Sequence, residues 1–369
     1  MGQTIDRRFW LKQAALTIGG LSIAPHLVAG DHQYMPPGTS IRLHANENPY
    51  GPSPLARKAM ADAILSSNHY PWEVTTQLRE KLATKYGLTK ENVLIGAGSS
   101  EILGIVAQYA GLKNGNAITA NPTFGIWFTA AEKSGLQLIK IPLTADKKHD
   151  LQRMKEQITD DTRLFYICNP NNPTGTVLPA DDLKNLVSDV TKKTLVLLDE
   201  AYTEYSDEPT LTAMVKDNPN LVIAKTFSKI YGMAGARIGF ALAHADTIKQ
   251  LNELQPWANA GASAVSLAGA LASLDDQSFV KMSKAKNTEA RKLVTTAFDE
   301  LNIPYIPSHT NFLYYSLKNQ KSDLLTALAN QNIRTGRLSD DKEKWTRISI
   351  GTKDQMQQYL QIVKQSFKS

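Results

Sequence analysis

From Asn92 onward, short apolar runs alternate with longer stretches whose apolar positions recur at helical spacing. Val93-Leu94-Ile95 predicts a strand, followed after Gly96 by a helix over about 99–109. Ala117-Ile118-Thr119 predicts the next strand, and a helix follows around 125–134, beyond Pro122. Further strands are predicted at 138–141, 164–168, 194–198, 222–225 and 238–242. Strands alternating with helices imply βαβ units and a mostly parallel sheet, so the fold class is α/β. From about Leu271 the pattern changes to long helical stretches, then strands at 310–316 and 347–350. That predicts a second, smaller α+β domain. The expected division is an N-terminal arm with part of the small domain over 31–70, a large domain over 71–270 and a C-terminal small domain over 271–369.

The first 30 residues break this pattern. Asp6-Arg7-Arg8-Phe9-Trp10-Leu11-Lys12 is followed by a small-residue apolar stretch to about Ala24, and then by Val28-Ala29-Gly30. Gly19, Gly20, Pro25 and His26 interrupt the stretch, which is too short and polar for a span of about 20 apolar residues. The segment resembles a bacterial twin-arginine (Tat) signal peptide over residues 1–30. It implies export by the Tat machinery and a periplasmic location. The alternative is an amphipathic helix with a chance arginine pair in a cytoplasmic protein.

Composition changes little else. The chain has 369 residues, 42% hydrophobic, enough for a substantial core. Its formal charge of +6 owes three positive groups to the first dozen residues, so no nucleic-acid partner is expected. The single cysteine, Cys168, excludes an intrachain disulfide, which fits the cytosol and does not exclude the periplasm. No metal site is expected.

The informative polar residues fall where the predicted strands end, which is where ligands bind in parallel sheets. Ser228-Lys229 follows one apolar run, with Arg237 eight positions on in a Gly- and Ala-rich turn. A lysine can form a Schiff base with an aldehyde, and an arginine can hold a phosphate by a bidentate fork. Pyridoxal 5′-phosphate needs both. Asp199 closes Leu195-Val196-Leu197-Leu198, where a carboxylate is costly unless paired. A protonated pyridine nitrogen would be a suitable partner, and a helix N-cap is the other reading. Tyr202 lies within reach of the same ring or within the core. Asn169-Pro170-Asn171-Asn172-Pro173-Thr174-Gly175 is a turn by its chemistry, from which Asn172 could donate to a ring oxygen. Gly96-Ala97-Gly98-Ser99-Ser100-Glu101 joins a strand to a helix and makes an anion site, although Glu101 breaks the G-x-G-x-x-G pattern. Phe124, after Asn121-Pro122-Thr123, could stack on a ring or fill the core. Arg334 and Arg347 could converge as a clamp on a carboxylate or phosphate, or lie in solvent.

These motifs together resemble the fold-type I PLP-dependent aminotransferases of class I/II, most closely the histidinol-phosphate aminotransferases. The resemblance runs from about Ile41 to Lys353. It rests on Asn46-Glu47-Asn48-Pro49-Tyr50, Tyr70-Pro71, Asn172-Pro173-Thr174-Gly175, Asp199-Glu200-Ala201-Tyr202, Ser228-Lys229 with Arg237, Thr310-Asn311-Phe312 and Arg347-Ile348-Ser349-Ile350-Gly351-Thr352. It implies that Lys229 is the Schiff-base lysine, Asp199 the pyridinium partner, and Asn172 and Tyr202 the partners of the ring oxygen. Gly98, Ser99, Ser100, Thr226, Ser228 and Arg237 would surround the cofactor phosphate. Tyr70 would reach the phosphate of a neighbouring subunit's cofactor, which implies a homodimer. Tyr50, Arg334 and Arg347 would meet the substrate. Phe124 stands where many relatives carry tyrosine, and the Tat-like leader is unusual for a biosynthetic aminotransferase.

The expected activity is transfer of an amino group from an amino acid or amino-alcohol phosphate to a 2-oxo acid. A decarboxylase on the same fold is the alternative. A non-catalytic PLP-binding regulator is a third reading, and no helix-turn-helix extension supports it. An exported enzyme would meet amino acids rather than a cytosolic phosphate monoester. The aromatic residues Tyr50, Phe124 and Trp257 point to a bulky side chain on the donor.

Overall fold

The computed structural model describes residues 40–336, 338–340 and 344–368. The twin-arginine motif and the leader over 1–30 lie outside the described residues.

The central sheet has seven strands in the order β2-β8-β7-β6-β5-β3-β4. They are β2 (Val93–Gly96), β3 (Gly115–Asn121), β4 (Leu136–Pro142), β5 (Thr162–Cys168), β6 (Leu195–Asp199), β7 (Leu221–Thr226) and β8 (Gly239–Ala243). Only β8 runs against its neighbours. The expected mostly parallel sheet is therefore present, with predicted ends displaced by one to a few residues. β6 and β7 are buried from end to end, as strands covered on both faces must be, so they read as continuous apolar runs. One face packs Ile95, Ile118, Phe165, Val196, Leu198 and Ile223. The opposite face packs Leu94, Ala117, Trp127, Tyr166, Leu197 and Val222. The alternation along β5 and β6 thus assigns successive residues to different cores.

A third hydrophobic core is built from the C-terminal segments. Four antiparallel strands stand in the order β12 (Leu338–Asp340), β13 (Trp345–Ser349), β10 (Phe312–Ser316) and β9 (Tyr305–Ile306). The helices Gln277–Glu300 and Lys353–Phe367 supply Val294, Phe298, Met356 and Val363 to that core. Asp276 caps the first helix through the Phe279 N–H, and Thr352 caps the second in a capping box with Gln355. The chain near the N-terminal end joins this core. β1 (Ile41–Leu43) pairs in parallel with β11 (Ile333–Thr335), and Leu43 is buried in the same cluster.

The segment after β1 reaches the lysine loop that follows β7. Asn48 donates to the Ile230 carbonyl at 2.8 Å. Gly232 has φ +70, and a Cβ there would lie 1.9 Å from the Gly51 carbonyl oxygen. Only glycine permits that approach and that backbone conformation together.

Candidate active site

The strand ends bring together residues that the sequence separates widely. Lys229 lies in the loop after β7, and its Nζ is 3.3 Å from the carbonyl oxygens of Ala45 and Asn46. It also stands 5.5 Å from the centre of the Tyr202 ring. Burial is the main cause that lowers its amine to about 8, and the Arg347 cation adds to it. A substantial share of the amine is therefore neutral near pH 8.

Asp199, at the end of β6, is buried. Its Oδ2 accepts from the Tyr166 hydroxyl at 3.1 Å, and its Oδ1 from the Ala201 N–H at 3.2 Å. Burial raises the acid to about 6, against the hydrogen bonds from Tyr166 and Ala201. Glu200, the next residue, turns to the other side of the sheet. There it forms a fully buried ion pair with Lys225 at 2.9 Å.

Tyr202 OH accepts from the side-chain amides of Asn46, at 2.9 Å, and Asn172, at 3.4 Å. Its ring meets Phe312 edge-on. Asn46 sits at φ +53, exchanges hydrogen bonds with Ser349 and presents its carbonyl to Asn311. Arg347, on β13, donates to Asn172 Oδ1 and, at 2.9 Å, to the His44 carbonyl. Its Nε is buried without a partner. Burial makes its cation easier to neutralise than usual.

A second group of residues lies at the start of the helix Ser99–Gly111. Gly98 occupies the N-cap at φ +86 and brings no side chain to the first turn. The first N–H groups are therefore left for an anion. Arg237, itself at φ +55, reaches this turn from the loop before β8. It donates to Ser100 Oγ at 3.3 Å and Ser228 Oγ at 3.5 Å. Thr226 Oγ1 accepts from the Ser228 N–H at 3.0 Å and shapes the loop. A Cβ at position 98 would fall 2.3 Å from an Arg237 nitrogen. Glu101 bends back to the Ala97 N–H and takes no place in this cradle.

The remaining expected residues are placed less centrally. Phe124 is half-buried and packs on the core face that contains Trp127. Tyr50 is half-buried, with Lys286 Nζ 4.9 Å from its ring centre. Tyr70 is 69% exposed, stacks with Trp72 and meets the 51% exposed Trp257 at a tilt. Trp257 thus belongs to an exposed aromatic cluster with Tyr70 and Trp72. Arg334 is exposed on β11, in register with Arg42 of β1, whereas Arg347 is largely buried. The two arginines sit on different strands, Arg334 on β11 and Arg347 on β13.

Tyr166, Asn46, Asn311 and His44 were not singled out individually by sequence reasoning. Tyr166 carried a usable signal. It precedes Cys168 by two positions, so both share the face of β5 that meets Asp199.

The chain matches the family model of aminotransferases class I and II over residues 39–363. It is 36% identical over 330 residues to histidinol-phosphate aminotransferase from Brevibacillus brevis, covering 88% of this chain and 90% of that one. It is 35% identical over 322 residues to the enzyme of the same name from Halalkalibacterium halodurans, with 86% of each covered. Among solved structures, histidinol-phosphate aminotransferase from Sinorhizobium meliloti in complex with pyridoxal-5′-phosphate superposes with a TM-score of 0.80. It is 26% identical and covers 89% of this chain and 91% of that one. The chain therefore belongs to the aminotransferase class I and II family, and it is a transaminase dependent on pyridoxal 5′-phosphate.

The residues present fit that cofactor. The uncapped helix start with Arg237 suits a phosphate, the buried Asp199 carboxylate suits a cationic ring nitrogen, and Lys229 is an amine largely free of strong partners.

Proposed function

We propose that this chain moves an amino group from an amino acid, or from an amino-alcohol phosphate of the histidinol-phosphate type, to a 2-oxo acid, with Lys229 as its working amine. The observation that carries this reading is the burial of the Lys229 amine, lowered to about 8, in the same pocket as Asp199, Tyr202 and Arg347. When bound, the cofactor supplies an aldehyde for amine capture and a ring that draws electrons from the substrate's α-carbon.

The protein's own groups divide the remaining work. Asp199 would hold the ring nitrogen, and Asn172 and Tyr202 the ring oxygen. The helix start at Ser99, with Ser100, Ser228 and Arg237, would hold the phosphate. Lys229 Nζ, neutral in part at working pH, would take the proton from the substrate's α-carbon and deliver it to the cofactor side within the same half-reaction, and would run that transfer in reverse with the 2-oxo acid. Arg347 would bind the donor's anionic group, beside Asn172 and Tyr202. Tyr50 would line the donor's path.

The exposed cluster of Tyr70, Trp72 and Trp257 supports a homodimer in which Tyr70 reaches the neighbouring subunit's cofactor. The Arg7-Arg8 leader supports export through the Tat machinery to the periplasm. An enzyme working there favours amino acids over phosphate monoesters as donors.

A panel of amino acids and histidinol phosphate, each with 2-oxoglutarate or pyruvate, tests the reading. The expected result is formation of glutamate or alanine with the donor's oxo product. Release of carbon dioxide without amino-group transfer would replace the transaminase reading with a decarboxylase.

A further inference from the structure

We propose that Tyr166 is a positioning residue for Asp199, fixing the direction of its carboxylate and favouring its ionised form at the cofactor ring. The inference rests on the assignment of Asp199 as partner of the ring nitrogen.

The placement follows from strand register. β5 and β6 run parallel, with Tyr166 opposite Leu197 and Cys168 opposite Asp199. Tyr166 therefore shares a sheet face with Asp199 and lies one repeat behind it, so a long side chain reaches the carboxylate. The hydroxyl does so at 3.1 Å. The other carboxylate oxygen is held by the Ala201 N–H. Each oxygen thus has one fixed donor, and the plane of the carboxylate is set from two sides.

Tyr166 cannot easily swing away. It is fully buried, and the equally buried Trp127 packs on its ring with centroids 4.3 Å apart. A strand core of this kind would accept phenylalanine without the cost of burying a hydroxyl. The hydroxyl at this position is satisfied by Asp199 itself.

The electrostatic consequence has a definite sign. A hydrogen bond donated to a carboxylate favours its charged form. Cys168 and Tyr166 face the carboxylate from β5, Lys229 faces it from the loop after β7, and Glu200 is its neighbour on β6. Burial and Asp199 keep the Cys168 thiol protonated, and Glu200 raises the Asp199 acid. Lys229 is the nearby cation, and it is consumed when the cofactor binds. The Tyr166 hydroxyl is then the side-chain donor left to hold the carboxylate ionised.

Tyr166→Phe removes one oxygen and keeps the ring. In the cofactor-free protein, the Asp199 carboxyl, followed by carbon NMR against an Asp199→Asn control, should titrate at higher pH. The dissociation constant for pyridoxal 5′-phosphate at pH 7 should rise about tenfold, the scale of one hydrogen bond to a charged group. In an Asp199→Asn background the same substitution should change the dissociation constant less than about twofold, because no carboxylate remains to be oriented. An equal rise in both backgrounds, or an unchanged Asp199 titration, overturns the proposal and leaves Tyr166 as a core residue. If Asp199→Asn alone leaves cofactor affinity and visible absorbance unchanged, the Asp199 assignment fails, and this proposal fails with it.

Discussion

Arg347 and Asn172, 175 residues apart in the chain, hydrogen-bond to each other through a terminal guanidinium nitrogen and the amide oxygen. The residue expected to bind the substrate's anion is thereby joined to a residue expected to hold the cofactor. Its second terminal nitrogen is taken by the His44 carbonyl, and its Nε has no partner. An incoming anion must compete with Asn172 and His44 for the terminal guanidinium nitrogens.

Arg347→Ala should therefore raise the donor KM at least tenfold, since a hydrogen bond to a charged group contributes about 1.5–3 kcal/mol. Cofactor affinity should change much less. Because Arg347 lowers the Lys229 amine, its removal should also raise that group above about 8 and leave less neutral amine at pH 7. Steady-state kinetics and cofactor titration check this together. Lost cofactor affinity with an unchanged KM would place Arg347 in the cofactor site.

The Lys229 amine makes the cofactor-free protein sensitive to pH in a specific direction. Its folded value of about 8 lies below the ordinary 10.5. Below pH 8 both folded and unfolded forms bind the proton, and the folded form bears the full cost of the buried charge. Between about 8 and 10.5 the unfolded chain binds more protons, so stability rises with pH. Lys229→Met should stabilise the cofactor-free protein at pH 7 by up to roughly 3 kcal/mol, the worth of the shift at 1.36 kcal/mol per pH unit. The gain should shrink towards zero by pH 10.5. Thermal melts of both proteins across that range read it, and a gain independent of pH would contradict the burial of a charged Lys229.

Gly98→Ala should weaken cofactor binding without unfolding the protein. The position has φ +86, where a side chain is strained by about 1–3 kcal/mol, and the new Cβ would press on the Arg237 guanidinium. The dissociation constant of pyridoxal 5′-phosphate should rise on the order of tenfold. An unchanged constant would remove the helix start from the phosphate site.

Most of the chemistry was legible because it lies at the ends of apolar strands. Asp199 closes a buried run, and Ser228-Lys229 follows another, so a continuous apolar run ending in a polar residue was enough to locate them. The pairings between distant segments were not legible. Asn46 with Tyr202 and Arg347 with Asn172 each join parts of the chain more than 150 residues apart. Local patterning carries no signal for such contacts. The aromatic character of Trp257 is likewise plain, but its neighbours Tyr70 and Trp72 come from another segment. Arg334 and Arg347 look alike in sequence and differ in burial because Asn172, His44 and Phe312, from other segments, cover Arg347.

Export is expected to depend on the paired arginines. In an Arg7→Lys, Arg8→Lys variant the protein should accumulate in the cytoplasm at full length, whereas the unaltered chain should be recovered outside it, shortened by about the first 30 residues. Cell fractionation with N-terminal sequencing decides this. An unaltered chain found intact in the cytoplasm would contradict the export proposal.

The central claim is that Lys229 carries the cofactor. Borohydride reduction of the holoenzyme, followed by peptide mapping by mass spectrometry, tests it most directly. The account predicts a pyridoxyl group on the peptide containing Ser228-Lys229, and none in the Lys229→Ala variant. A label on another lysine, or an unmodified Lys229 in an active holoenzyme, would contradict it.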